Sequence, residues 1–244
     1  MKNIIFSSAL TTLLVSGNAY AIEVTGGYVD LGYSTFTDTD LGDKYNYNAS
    51  GELAFSRMFS LQLDLGGYRF ADLDESATNI TLHTNLHTSG NASFGAFYGR
   101  DNVDGPDFQF YGIEAGFDAG PADIEGYLGR QDVTDFSGLD GTLFGISVIS
   151  DLSDDWQIRA SYDLVDNFTG ALDFGLFSIG ANYTIGDTAE LYGNLGTAHI
   201  SSPIVSGSSN EAYVNLGVRI NFGSKRGTTF GRRGPLDKIP GLPG

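Results

Sequence analysis

The 244-residue chain has no cysteine, only six prolines and two methionines, and a single tryptophan. Without cysteine there is no lipobox, no disulfide and no thiolate metal site. Positive charge is scarce: 13 Lys and Arg stand against 30 Asp and Glu, for a net charge of −17. Nucleic-acid binding needs basic patches, so no nucleic-acid partner is expected. No run of about 20 apolar residues is present, so no helix is expected to cross a bilayer. A helical stripe is missing between Ile22 and Phe222. Catalytic signatures are missing too: there is no G-x-S-x-G, H-E-x-x-H, P-loop or dinucleotide glycine motif. What is abundant is glycine, with 34 residues, about twice its usual share, and aromatic residues at 13%. Acidic, glycine-rich chains are often disordered, but this one has too many Phe and Tyr for that reading.

The first 21 residues read as a secretory signal peptide. Lys2 is a short positive start, Ile4 to Val15 is mostly apolar, and Ala19-Tyr20-Ala21 fits a cleavage site before Ile22. Without Lys2 the mature chain holds 12 basic and 30 acidic residues, a net charge of −18. An exported protein without disulfides needs another source of stability, which a closed hydrogen-bonded sheet supplies.

From Ile22 to Phe222 the apolar residues recur with period two. LQLDLGGYRF sets Leu61, Leu63 and Leu65 against Gln62, Asp64 and Gly66. AYVNLGVRINF sets Ala212, Val214, Leu216, Val218, Ile220 and Phe222 against Tyr213, Asn215, Gly217, Arg219 and Asn221. This is the pattern of strands with one apolar and one polar face. Twelve such segments begin near Gly27, Tyr45, Leu61, Asn79, Ser93, Phe110, Asp123, Leu143, Trp156, Leu176, Glu190 and Ala212. Their spacing suits transmembrane strands of about 9–11 residues. Connectors after even segments are short (SRM, TSGN, AGP); those after odd segments are expected to be longer and acidic. Such alternation belongs to outer-membrane barrels. Aromatics form two belts, as at the two faces of a membrane. Tyr33, Tyr45, Tyr47, Tyr98, Tyr111, Phe144, Tyr162 and Phe177 fall at one end of the strands. Phe55, Phe59, Phe94, Phe117, Trp156, Tyr183 and Phe222 fall at the other. The expected fold is an all-β transmembrane antiparallel up-and-down barrel of about twelve strands over residues 22–222.

The leader, these alternating strands and the segments VDNFTGALDFGLFSIGANYTIGDTAELYGNLG and YVNLGVRINF resemble Gram-negative outer-membrane porins. The last strand is similar to that family's assembly signal, with Asn215, Gly217, Ile220 and Phe222 in its places. General porins have about sixteen strands, and their signal stands at the very C-terminus; this chain departs on both points. The resemblance implies the bacterial outer membrane as location. It also implies assembly by the outer-membrane machinery, contact with membrane lipid and lipopolysaccharide, and a possible homo-oligomer.

The polar faces supply the lining of a bore: Asp30, Glu52, Asp64, His83, His87, Glu114, Glu125, Arg159, Asp163, Glu190, Glu211 and Arg219. Carboxylates in a narrow bore concentrate cations. The expected function is passive diffusion of ions or small hydrophilic solutes, with a cation preference and no cofactor or metal. Two other readings stay open: a non-conducting structural or adhesion barrel, and an outer-membrane lipid-modifying enzyme that uses Ser and His. Inward tyrosines such as Tyr127, Tyr192 and Tyr213 are expected to lie over glycines of neighbouring strands.

Residues 223–244 stand apart. They hold Lys225, Arg226, Arg232, Arg233 and Lys238 against Asp237, a net charge of +4, while residues 22–222 carry −22. Gly223, Gly227 and Gly231 break any further strand, and Pro235, Pro240 and Pro243 remove donors. The tail is expected in the periplasm, with three readings open. It is disordered there, or it binds an anionic partner such as the cell wall, or it folds back into the acidic barrel mouth and restricts it.

Overall fold

The computed structural model describes residues 22–37, 42–71, 75–103, 107–133, 140–168, 172–202, 208–223 and 227–241. The expected leader, 1–21, lies outside the described residues. Twelve strands follow one another: β1 (Glu23–Phe36), β2 (Lys44–Ala54), β3 (Phe59–Phe70), β4 (Glu75–His87), β5 (Ala92–Val103), β6 (Asp107–Asp118), β7 (Ala122–Val133), β8 (Gly141–Asp151), β9 (Trp156–Phe168), β10 (Leu172–Ile185), β11 (Ala189–Ser201) and β12 (Ser208–Phe222). One helical turn, α1 (Pro235–Lys238), lies in the tail. Each strand pairs antiparallel with its neighbours, and β12 closes on β1 through Gly27↔Phe222 to Phe36↔Tyr213. Closure leaves no edge with unpaired backbone groups.

The alternation sorts side chains by face in the sense a membrane demands. Val29, Leu31, Leu63, Leu65, Ile113, Leu128, Ile179 and Leu195 are exposed on the outside. Asp30, Glu52, Gln62, Asp64, Asn79, His83, Asp101 and Glu114 are buried within. Most of the expected belts also lie outside: Tyr45, Tyr98, Tyr111 and Phe177 towards one rim, Phe94, Phe117, Trp156 and Phe222 towards the other. Trp156 and Tyr183 are neighbours there, with ring centroids 4.8 Å apart.

Two expectations are corrected. The strands run to between 11 and 15 residues, because pairing continues past the apolar band, where polar side chains meet water at no cost to the ladder. They thereby absorb residues read as loops. Connectors 71–74, 104–106 and 169–171 are as short as the turns at the opposite rim, while 37–43, 134–140 and 202–207 are longer. The rim formed by 55–58, 88–91, 119–121, 152–155 and 186–188 is the turn end, and the opposite rim is the loop end. Turn-end geometry is locally encoded. Ser56 Oγ accepts from the Met58 and Phe59 amides, and Gly186 takes the positive φ of 64° that its turn requires.

Tyrosines do lie over glycines inside. A Cβ on Gly145 would collide with the Tyr127 ring, and one on Gly196 with Tyr213. Among the described residues, no helix is long and apolar enough to cross a membrane.

Candidate functional site

The interior of the barrel is occupied by the chain's own C-terminal segment. Residues 227–241 run along the bore from the turn end to the loop end, against β1–β7 and β9. Of the three readings left open for the tail, this arrangement of 227–241 matches the one in which it folds back into the acidic barrel. The cause is charge: an acidic wall enclosed by a low-dielectric sheet attracts a basic segment strongly.

The path begins beside β1, where Thr25 Oγ1 donates to the Gly227 carbonyl at 2.9 Å. The Thr229 amide then donates to Glu52 Oε2 at 2.7 Å. Gln62 takes the Phe230 amide on its oxygen at 3.1 Å and gives its Nε2 to the Phe230 carbonyl at 2.7 Å. The two arginines follow. Arg232 reaches Asp30 at 3.2 Å and Asp237 at 2.6 Å. Arg233 bridges Glu114 at 2.8 Å and Glu125 at 2.5 Å, and lies 4.5 Å from the centre of the Tyr127 ring. One guanidinium thus satisfies two carboxylates through its fixed fork of donors.

Pro235 opens α1, where its fixed φ suits the first helical position. The Leu236 amide donates to Asp101 Oδ2 at 2.9 Å. Lys44 Nζ donates to the carbonyls of Leu236 at 3.0 Å, Asp237 at 3.2 Å and Ile239. Lys238 reaches Asp163 at 3.3 Å, and Ser34 Oγ donates to the Pro240 carbonyl at 2.6 Å.

At the loop end the lining turns apolar. Phe36, Phe70, Phe108, Phe110, Leu143, Val165, Phe168, Phe174 and Leu176 point inwards and form one buried cluster with Leu236 and Ile239 of the tail. Phe108 and Phe168 stack at 5.2 Å with an interplanar angle of 14°. An apolar ring of this kind stops water and ions by dewetting.

Beside the tail a cavity of about 790 Å³ remains. Ser147, Arg159, Ser161, Ser178, Asn182, Asn194 and Asn215 line it on β8–β12, and Asn91 and Asp118 at the turn end. Along the bore it reaches Tyr213 and Pro240. The site is therefore a polar vestibule at the turn end, a basic strap across its acidic wall and an apolar stopper at the loop end.

No family model matches the chain, and no curated protein matches it. Solved structures do. A KdgM porin superposes with a TM-score of 0.62 at 10% identity, over 80% of this chain and 99% of that one. The COG4313 outer membrane channel from Pseudomonas putida F1 gives 0.58 at 12% identity, over 85% and 100%. The CymD monoaromatic hydrocarbon channel gives 0.53 at 9% identity, over 82% and 90%.

The chain has the fold of a small outer-membrane porin. At these identities the likeness is one of fold, and the contents of this porin-type bore must be read from its own residues.

The residues picked out in the sequence are spread along the bore. Asp30, Glu52, Asp64, His83, Glu114 and Glu125 meet at or next to the tail. Asp64 accepts from Ser50 at 2.5 Å and from Gln62 at 2.9 Å, and its other oxygen lies 3.0 Å from His83 Nε2. His83 Nδ1 lies 2.8 Å from Glu114. Asp163, Glu190, Arg159 and Arg219 face the open vestibule. Tyr127 donates to Asp163 at 2.8 Å, and Arg219 lies 4.1 Å from the centre of the Tyr28 ring. His87, at the turn end, lies 2.9 Å from Ser60 Oγ and 3.0 Å from Ser93 Oγ. Glu211 sits near the loop end of β12, in register with Ala198. Of the assembly-signal residues, Asn215 lines the cavity, Gly217 lies against the Tyr192 ring, and Ile220 and Phe222 face outwards.

Sequence reasoning missed Lys44, Gln62, Asp101 and the inward phenylalanines. Asp101 fell in a segment read as a loop, and Lys44 lies just before the second alternating segment. Phe108 and Phe110 share the parity of Glu114, the signal that could have turned them inwards.

Proposed function

We propose that the chain is a porin-like channel of the bacterial outer membrane that rests closed, its bore held by its own tail. The observation that carries this is a closed twelve-strand barrel, apolar outside and ionic inside, with residues 227–241 along its bore. With the tail seated, the basic strap neutralises Asp30, Glu114 and Glu125, and Leu236 and Ile239 complete the apolar stopper. With the tail withdrawn, those carboxylates line the bore without Arg232 and Arg233, and a cation preference follows. The cargo class is ions or small hydrophilic solutes.

A channel rather than an enzyme is the better reading of the histidines. His83 is fully buried between two carboxylates. The Ser60 hydroxyl that meets His87 is fully buried too, where no lipid ester reaches it.

Planar-bilayer recording of the full chain and of its R232E/R233E variant tests the proposal. The unaltered chain is expected to open rarely. The variant, whose tail now repels the wall, is expected to give frequent conductance steps with a reversal potential on the cation side. Absence of steps from both would overturn the channel, and an anion-side reversal would overturn the preference.

A further inference from the structure

The wall reads the tail's backbone as well as its side chains. Gln62 offers the Phe230 amide and carbonyl the same acceptor and donor that a neighbouring strand would. Glu52 and Asp101 take the Thr229 and Leu236 amides, and Lys44 collects successive carbonyls around α1. Recognition of an extended peptide has this form: main-chain hydrogen bonds give affinity, and pockets for selected side chains give specificity. Both kinds of element are present. The selective pockets are the Glu114–Glu125 pair around Arg233 and the apolar ring around Leu236 and Ile239. The vestibule beside the tail gives a second chain room to approach from the turn end.

We propose that the bore is a peptide-binding site. It takes, in trans, an extended cationic peptide with an arginine for Glu114 and Glu125 and apolar residues three and six positions later. This ligand exchanges with the chain's own tail. The inference rests on the bore being the functional site, as above, but not on its conducting.

The test is fluorescence anisotropy in detergent with a labelled synthetic peptide of residues 227–241. The full chain carrying R232E/R233E is expected to bind it saturably. The unaltered chain is expected to bind at least about 100-fold more weakly, because its tethered tail competes at an effective concentration of order millimolar. Peptides with both arginines changed to glutamate, or with their order scrambled, are expected not to bind.

A second form keeps the wild-type tail through folding. A specific protease site replaces residues 224–226, the folded chain is cut there, and the released tail is exchanged for labelled peptide. This form decides the matter if the double variant does not fold. Failure of both forms to take up the peptide, or equal binding of scrambled and native peptides, overturns the proposal. Binding without conductance would remove the channel and leave the peptide site; conductance without binding would do the reverse.

Discussion

Arg233 concentrates the energetics of the bore in one side chain. It is buried, it faces two carboxylates from β6 and β7, and an aromatic ring covers it. Removing one partner of such a cluster leaves uncompensated buried charge, which costs about 3–5 kcal/mol. Arg233→Ala is therefore expected to unseat the tail without opening the sheet. Hydrogen exchange at the Leu236 amide should then quicken by roughly two orders of magnitude or more, at about 1.4 kcal/mol per tenfold, while strand amides stay protected. Arg233→Lys should fall between, since an ammonium lacks the fork that spans both carboxylates. On the wall, Gly145→Val is expected to displace the Tyr127 ring and cost about 1–3 kcal/mol by overpacking. A lower urea midpoint in detergent would register it.

Among the elements, the loop-end ring and α1 act as a unit. Leu236 and Ile239 are fully buried within it. Changing both to Asp places two carboxylates among phenylalanines and is expected to hydrate the stopper. Single-channel recording should show openings in L236D/I239D that are far more frequent than the parent's rare ones, even with both arginines intact. Strands of this kind are legible in a sequence because period two fixes each residue's face, and all twelve were. The ring was not legible, for two physical reasons. Aromatics at strand ends read equally well as lipid-facing belt and as lumen filler. At Phe168 the parity itself fails, because Asn167 adopts a φ of 55° and the β9–β10 register shifts there, letting Phe168 turn inwards. The tail was legible as basic and as unable to extend the sheet. Its place was not, because its partners Asp30, Gln62 and Asp101 lie more than 100 positions away and no local pattern names them.

For the molecule as a whole, those separations set an order of events. The tail's contacts come from β1–β7 and β9, so its site is incomplete until the sheet has closed. Loop-closure entropy must be met before such contacts reward it. Refolding into detergent micelles is expected to show the β signal in circular dichroism first. Quenching of a fluorophore at Lys238 should follow at a rate independent of protein concentration. Simultaneous phases would mean that the tail nucleates the barrel rather than filling it.

The path from Thr25 to Pro240 also changes the count of passages through the membrane. Twelve strands bring Phe222 back to the rim where Glu23 starts, as any even barrel does. The tail then adds a thirteenth passage, through the centre instead of the wall. It leaves Gly241 beside Gly42 and Phe36 at the opposite rim. An even barrel thus becomes an odd traveller, with residues 22 and 241 at opposite rims.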